Sequence, residues 1–265
     1  MISFSIPKKT EKELIIFFKK NNLNLVVNEY LKNKKNLHHG KFIKKTNKPY
    51  PPILDDLYKL FYIVTKFKRI TCLEFGTGWS TLVIAKALSQ NKKKYEKKIN
   101  KLRFSKPFES FSVDNLKKYL KISKNRIDKN LGIKINFFLS KNRMSSWNGQ
   151  ICNEYLKLPS VNPDFIYLDA PDHLYIDGTV NGLKISNNDF MPMSSDILKF
   201  ENFLTPGTII LVDGRNSNVN FLKNNFKRNW IVSRDKKRDH TVLILNDEPI
   251  GKLNKEQIKF YFNKI

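Results

Sequence analysis

Four acidic residues stand at or just after the end of short apolar segments, and they are the side chains best suited to do chemistry. They are Glu74, Asp114, Asp169 and Asp213. The carboxyl ends of neighbouring parallel strands meet at one edge of a sheet, where such folds bind ligands. Carboxylates at that edge can accept hydrogen bonds from hydroxyl groups, hold a cation or accept a proton. The pattern therefore predicts one ligand-binding crevice with acidic walls.

A turn that contains two glycines follows the first of these segments. Residues 70–75 have the apolar, β-branched composition of a central parallel strand. Gly76 and Gly78 let the backbone turn tightly and approach a ligand closely, and Ser80 or Thr81 can cap the helix that follows. A strand, a turn and a helix N-terminus of this kind form a cofactor-binding site. Two glycines in this place also occur in α/β folds as a simple connecting turn.

The sequence EFGTG, which begins at Glu74, resembles motif I of the class I S-adenosylmethionine (SAM)-dependent methyltransferases. The third glycine of the dinucleotide fingerprint is absent, and an acid at this position suits a ligand with hydroxyls or positive charge better than a pyrophosphate. FSVDN and DFIYLDAPD are similar to segments that end the second and fourth strands of the family, and LTPGTIILVD resembles the segment that leads into the fifth. The branch most resembled is that of O-methyltransferases of small molecules and sugars.

The resemblance implies a position for SAM along the edge of the sheet. An acid such as Glu74 faces the methionine end of the cofactor in this family, and residues 140–142 would lie beside the adenine. Asp114 would accept hydrogen bonds from both ribose hydroxyls, with helix capping as its alternative role. The residues expected to bind SAM are Glu74, Gly76, Thr77, Gly78, Ser80, Thr81, Asp114, Asn115 and Ser140.

Asp169, His173 and Asp213 are the candidate catalytic residues. Methyl transfer from a sulfonium is an in-line displacement, so the protein must align the acceptor and remove its proton. In some relatives Mg²⁺ lies between the aspartate that ends strand four and an acidic pair that ends strand five, which match Asp169 and Asp213 here. Gly214 stands where the third ligand would be. His173 as a metal-free general base is therefore the alternative to a metal.

Strand-like and helix-like segments alternate through most of the chain. The resemblance implies an α/β, Rossmann-like, doubly wound sheet of seven mostly parallel strands in the order 3-2-1-4-5-7-6, with strand seven antiparallel. Helical patterns at Glu11–Lys20 and at residues 25–32 precede a proline-rich breaker. We therefore expect a basic helical N-terminal extension over residues 1–50 and a methyltransferase domain over residues 51–265.

Two stretches interrupt the alternation. Residues 143–159 contain Trp147, Asn148 and Gly149 and predict a loop or hairpin over the pocket. Residues 174–193 form a long polar insert, and loops in this place commonly shape substrate pockets. A helix is expected to follow at residues 194–204.

The formal net charge of +25 would ordinarily indicate a nucleic-acid partner. Only eight basic residues are Arg and 41 are Lys, and bidentate reading of phosphates or bases favours Arg. Lysines also concentrate in residues 91–106, where a solvated helix end and loop is the simplest interpretation. We therefore expect a small-molecule or saccharide acceptor, with nucleic acid as the less favoured partner.

Several other functional classes can be compared with the sequence. Residues 169–172, DAPD, lack the second proline and the aromatic residue of amino-methylating DNA enzymes, and neither cysteine follows a proline as in cytosine C5 enzymes. An RNA (ribose or tRNA) methyltransferase that uses the lysine-rich surface remains an alternative. A non-catalytic binding subunit with the same fold is another.

The two cysteines, Cys72 and Cys152, provide neither a disulfide framework nor a metal-binding spacing. A reducing, cytoplasmic location fits this usage. No segment has the length and hydropathy of a membrane span. The sequence does not indicate the oligomeric state.

Overall fold

The computed structural model of the protein describes residues 5–36, 49–185, 190–191 and 193–263. The strands are β1 (Thr71–Phe75), β2 (Glu109–Asp114), β3 (Lys134–Leu139), β4 (Asn142–Trp147), β5 (Gln150–Tyr155), β6 (Phe165–Leu168), β7 (Ile209–Asp213), β8 (Trp230–Asp235) and β9 (His240–Leu245). The helices are α1 (Glu11–Lys20), α2 (Asn24–Asn33), α3 (Leu54–Lys66), α4 (Trp79–Ile99), α5 (Lys117–Arg126), α6 (Asp196–Phe200), α7 (Asn216–Asn225) and α8 (Gly251–Phe262).

Seven strands form the main sheet, in the order β3-β2-β1-β6-β7-β9-β8. All neighbours are parallel except those of β9, which runs antiparallel to β7 and β8. When only these strands are counted, the order is 3-2-1-4-5-7-6 with an antiparallel seventh strand. The predicted fold class is therefore confirmed.

The central strands are buried on both faces, as expected for parallel strands covered by helices on both sides. Successive side chains of β1 alternate between two cores: Cys72 packs with α3 and α4, whereas Leu73 packs with α6 and α7. Strands β6 and β7 follow the same alternation. The sequence of apolar runs thus produces a three-layer molecule whose strand ends form a continuous edge.

The N-terminal helices share the core of the sheet. Thr10 caps α1 in a reciprocal arrangement with Glu13, and α1 buries Leu14 and Phe18 against α3. The predicted bounds of α1 are those observed, and α2 is one residue longer at each end. Residues 37–48 of the predicted extension lie outside the described residues.

The stretch that predicted a loop or hairpin is a hairpin, formed by β4 and β5. Its turn residues Asn148 and Gly149 both have positive φ, as two-residue hairpin turns require. Backbone hydrogen bonds from Met144 to Asp177 and from Asn153 to Met193 attach the following insert to it. The hairpin and the described part of the insert therefore form one cap next to the sheet.

One observed helix is shorter than predicted, and one was not predicted. The helix expected at residues 194–204 is regular only in α6, and α8 was not predicted. The buried face of α8 includes Asn254 and Gln257, which donate to backbone carbonyls of Pro206 and Arg103. These polar residues interrupt the apolar period by which a helix is recognised. No helix among the described residues is long and apolar enough to cross a bilayer.

A cluster of buried charged side chains closes the amino edge of the sheet. Arg69 is fully buried and donates to the carbonyls of Phe67, Asp164 and Gly207, and its guanidinium lies 3.9 Å from the ring centroid of Tyr261 on α8. The Asp164 carboxylate accepts the N–H groups of Ile70 and of its neighbour Thr71. This cluster ties β1, β6, β7 and α8 together.

We expect Asp164→Ala to lower the free energy of unfolding by about 3–5 kcal/mol, because it leaves a buried Arg69 without its counter-charge. Urea unfolding at neutral pH measures the loss. Glu96→Ala is the control, since the exposed Glu96 forms an ion pair with Lys92 on the surface of α4 and its loss should change stability by less than about 1 kcal/mol. Equal unfolding midpoints for the two variants would contradict this account.

Candidate functional site

The carboxyl edge of the sheet brings the four predicted acids together. Glu74 lies near the end of β1, Asp114 ends β2, Asp213 ends β7 and Asp169 follows β6. The register pairs Leu168 with Val212, so Asp169 and Asp213 come side by side. The charges of Asp114 and Asp169 raise the pKa of Glu74, and that of Asp169 raises the pKa of Asp213. A locally acidic sheet edge therefore exists on a chain of net charge +25.

Glu74 is fully buried and only half satisfied. The hydroxyl of Thr81 donates to its Oε1, whereas Oε2 has no hydrogen-bond partner. The hydroxyl of Ser112, its register neighbour on β2, lowers the pKa of Glu74 but makes no hydrogen bond of normal geometry to Oε2. Burial, followed by the neighbouring acids, raises the pKa of Glu74 well above its ordinary value. A cationic group at Oε2 would offset both the burial of the Glu74 charge and its repulsion by the neighbouring acids.

The glycine turn is tight on one side and open on the other. Gly76 has φ +97°, and a Cβ there would lie 2.9 Å from Cβ of Ala170 and 3.2 Å from the carbonyl oxygen of Asp169. Gly78 has an extended φ of −179° and a Cβ there would meet no atom within 4 Å. The first glycine therefore lets two strand ends pack closely, and the second leaves free space beside the helix N-terminus.

The structure corrects the predicted cap of α4. Helix α4 begins at Trp79 with Gly78 as its N-cap, so Ser80 and Thr81 lie inside the first turn. The Thr81 side chain accepts the N–H of Gly78 at 3.2 Å and donates to Glu74. The helix begins earlier than it would with Ser80 or Thr81 as the cap, because Gly78 itself adopts the non-helical cap conformation.

Asp114 already accepts three hydrogen bonds from its own chain. Its Oδ2 accepts from the backbone N–H and the hydroxyl of Thr77, at 2.9 and 2.8 Å, and its Oδ1 accepts from Leu116 N at 2.8 Å. Asn115 donates to the carbonyl of Tyr175, and Ser140 accepts from Lys157 N. These bonds fix the glycine turn, the turn after β6 and the end of the hairpin around the crevice.

Asp213 and Asp169 each face a cation of the chain. The Nζ of Lys59 lies 3.6 Å from Asp213 Oδ1, and the Tyr167 hydroxyl donates to Oδ2 at 3.3 Å. Burial, followed by the charge of Asp56, raises the pKa of Asp213 to about 7, against the lowering effect of Lys59. The half-exposed Asp169 lies 3.5 Å from Nε of Arg215, and Arg215 also donates to its carbonyl at 2.9 Å.

Sequence reasoning missed Lys59, Asp56, Tyr167 and Arg215. The available signal was Lys59 itself, a lysine on the apolar face of a predicted helix with an acid three residues earlier. Its side chain is 1% exposed. Lys and Asp are seldom buried unless paired, so a lysine in that position indicates an acidic partner elsewhere in the fold.

The histidines lie differently from the acids. His173 begins a short 3₁₀ turn, His173–Tyr175, that Asp172 caps. In the described part of the chain no hydrogen bond or ion pair joins its ring to Asp169 or Asp213. His240, at the start of β9, is buried opposite Asp213 in the register. Burial and the charge of Lys59 lower the pKa of His240, which favours its neutral form.

The residues present do not fit the Mg²⁺ site that the resemblance allowed. No group of three His, Cys, Asp or Glu among the described residues could hold a metal ion. Magnesium requires several oxygen ligands in octahedral geometry, whereas Gly214 provides no third side chain. Lys59 and Arg215 also place positive charge against the two carboxylates that would bind the ion.

The similarities to known proteins are to solved structures at low sequence identity. No family model and no curated protein matches the chain. Three solved structures are similar to it. The SAH-bound methyltransferase PaMTH1 of Podospora anserina is 12% identical over 92% of this chain and 100% of that chain, with a TM-score of 0.49. An O-methyltransferase of Bacillus cereus in complex with SAH is 13% identical over 91% and 93%, with a TM-score of 0.41.

The third is the SAM-bound O-methyltransferase TomG of Streptomyces achromogenes, which is involved in tomaymycin synthesis. It is 11% identical over 90% of this chain and 100% of that chain, with a TM-score of 0.44. Similarities of this size carry no argument about activity. The strand order does decide the fold. This is a Rossmann-like sheet of the class I methyltransferase type.

We expect Gly76→Ala and Gly78→Ala to differ sharply in stability. Alanine at position 76 would adopt a left-handed φ and press on Ala170, at a cost of roughly 2–4 kcal/mol. Alanine at position 78 enters free space and should cost less than about 1 kcal/mol, mainly through poorer capping. Urea unfolding of both variants tests the geometry, and equal losses would argue against it.

We also expect Asp213→Asn to flatten the pH dependence of stability. A pKa raised from 3.8 to about 7 means that the folded state binds the proton more tightly than the unfolded state. Wild type therefore loses stability as pH rises through this window, and the variant lacks that loss. Between about pH 5 and pH 8 the unfolding free energy of wild type should fall, relative to that of the variant, by on the order of 2 kcal/mol. Parallel urea-derived profiles would contradict the assignment.

Proposed function

We propose that the protein is a SAM-dependent methyltransferase that methylates a hydroxyl group of a small molecule. The observation that carries the proposal is the buried carboxylate of Glu74, which has one unpaired oxygen beside the open glycine turn. SAM contains an ammonium group and a sulfonium, and either cation suits such a site. The class I strand order supports the same cofactor.

The charge of the crevice favours SAM over a dinucleotide. Glu74, Asp114, Asp169 and Asp213 lie along one edge, where a pyrophosphate would meet repulsion. The free space at Gly78 lies at the N-terminus of α4, whose positive dipole end suits the carboxylate of SAM. A zwitterionic cofactor with an additional positive charge matches this arrangement of opposite potentials.

SAM supplies an electrophilic methyl group when bound, and the chain's own residues have to place and deprotonate the acceptor. Asp213 is the proposed general base, since its pKa of about 7 suits proton removal at neutral pH. Asp213 would accept the proton of the acceptor hydroxyl, whose oxygen would take the methyl group while the sulfur of the cofactor leaves as a neutral thioether. Asp169, next to Asp213, would orient the hydroxyl. His173 is the alternative base.

An apolar cavity favours a small molecule over a saccharide as the acceptor. Its volume is about 360 Å³, and it opens between the β4–β5 hairpin, the insert and the first turn of α7. Ser217, which lines it, lies two residues after Arg215 and therefore close to the strand-end acids. The other lining side chains are mostly apolar, and they include Ile151, Leu183, Ile185, Phe190 and Met193.

RNA methylation is the second candidate, and the distribution of charge supports it. Residues 86–134 contain 16 Lys and Arg but only four Asp and Glu. Lys93, Lys94, Lys97 and Lys98 are exposed on α4. Binding through lysines alone would be electrostatic and would weaken steeply with salt. Methyl transfer to RNA at physiological salt would favour this candidate over the first.

We expect saturable binding of SAM by calorimetry and a loss of about tenfold or more in affinity for Gly78→Ala, since the methyl group would fill the space that the cofactor approaches. Lys66→Met is the control, because Lys66 is exposed on α3 away from the glycine turn. Unfolding of each variant in urea confirms that the fold is kept. No binding at about 1 mM SAM, a concentration at the weak end of protein–ligand affinities, would refute the proposal.

Labelled SAM incubated with pools of phenolic and alcoholic small molecules, sugars, nucleotide sugars and RNA identifies the acceptor class. Transfer to the apolar hydroxylated pool is the expected result. Asp213→Asn should abolish most of this transfer while it leaves SAM affinity within a few-fold of wild type. Undiminished turnover in that variant would remove Asp213 from the mechanism. SAM binding without transfer to any pool would instead favour a non-catalytic binding subunit.

A further inference from the structure

Lys59 is a buried cation inside the acidic edge of the sheet. Its side chain is 1% exposed, and its Nζ lies 2.7 Å from Asp56, 3.0 Å from the carbonyl of Arg238 and 3.6 Å from Asp213. An ammonium group is costly to bury unless it is paired and hydrogen-bonded. These three partners come from α3, from the turn between β8 and β9, and from β7. The lysine is thus held at a fixed point behind Asp213.

Arg215 holds the neighbouring carboxylate in a similar way. Its guanidinium contacts both the Asp169 side chain and the Asp169 backbone carbonyl. Because Arg215 is two residues after Asp213 and Asp169 follows the adjacent strand, the contact joins the two strand ends. Each carboxylate of the pair therefore has its own cation. The Tyr167 hydroxyl also donates a hydrogen bond to Asp213.

Two acids side by side require compensation, which a divalent cation, a proton or fixed cations can supply. We propose that Lys59 and Arg215 are positioning residues that replace a divalent cation at the ends of β6 and β7, so that methyl transfer proceeds without a metal. The claim that methyl transfer needs no metal rests on the proposed function. The claim that the two cations stand in place of a divalent ion concerns the protein alone, and it is the electrostatic part of the inference.

Unlike a shared metal ion, this arrangement leaves Asp213 free to accept a proton. A shared divalent ion would bind oxygens of both acids and of the acceptor, whereas Lys59 contacts Asp213 from the interior side and Arg215 contacts Asp169. The carboxylates keep their orientation, and Asp213 remains able to accept a proton. A neutral residue at position 59 would leave Asp56 and Asp213 with an uncompensated negative charge.

The first test is a titration of the wild-type protein with MnCl₂, followed by electron paramagnetic resonance and calorimetry. No stoichiometric binding is expected up to about 1 mM, the weak end of natural divalent-cation sites. This measurement needs neither SAM nor turnover, so it decides the electrostatic part even if the proposed function fails. One Mn²⁺ bound per chain in wild type but not in Asp213→Asn would overturn the inference.

The second test compares Lys59→Met with Lys66→Met, both on α3. Lys59→Met is expected to lower kcat by about 100-fold, the size of effect seen when one preorganised electrostatic group is removed, with SAM affinity within a few-fold of wild type. Lys66→Met should be unchanged, and Lys59→Arg should recover part of the activity. Equal kcat values for the two methionine variants would overturn the inference.

Two further measurements keep the inference testable. Excess EDTA should leave wild-type turnover unchanged, and loss of turnover that Mg²⁺ restores would count against the proposal. If Lys59→Met does not fold, Arg215→Met takes its place, because the Arg215 side chain is partly exposed. That variant should also lower kcat more than SAM affinity, and an unaltered kcat would contradict the role of Arg215.

Discussion

The concentration of negative charge at the carboxyl edge of the sheet is the constraint on which the rest of the site depends. Parallel strands bring their ends to one edge, so an acid at the end of each strand meets the others whatever the sequence between them. The chain compensates each acid separately. Thr77 and Leu116 donate to Asp114, Thr81 donates to one oxygen of Glu74, and cations face Asp169 and Asp213. The second oxygen of Glu74 is buried without a hydrogen-bond partner.

The two edges of the sheet use buried charge differently. At the amino edge, Asp164 accepts backbone N–H groups beside a fully buried Arg69, and helix α8 closes over the pair. At the carboxyl edge, the side chains of Asp169 and Asp213 are partly accessible, and burial raises the pKa of Asp213 to about 7. The first arrangement stabilises the fold. The second loses stability as pH rises toward neutrality, as expected where charged groups are retained for binding or chemistry.

Much of the fold could be predicted because its signals are local. Helix α1 has the predicted bounds, and Asn148–Gly149 is a local hairpin signal. Helix α8 was missed because Asn254 and Gln257 on its buried face are satisfied only by distant carbonyls. The strand-end acids were also readable, since each ends an apolar run. The pairing of Lys59 with Asp213 was not, because more than 150 residues of chain separate the two.

The bonds of Asp114 show how the fold would couple cofactor binding to the glycine turn. A carboxylate has about four lone-pair positions, and three of those of Asp114 are occupied by Thr77 and Leu116. A ribose that offers two hydroxyls would therefore need one more position than is free. The Thr77 hydroxyl can rotate away at little cost, whereas the backbone N–H of Thr77 cannot. Ribose binding would then exchange one hydrogen bond of the turn for one to the ligand, while Thr77 N keeps the turn in place.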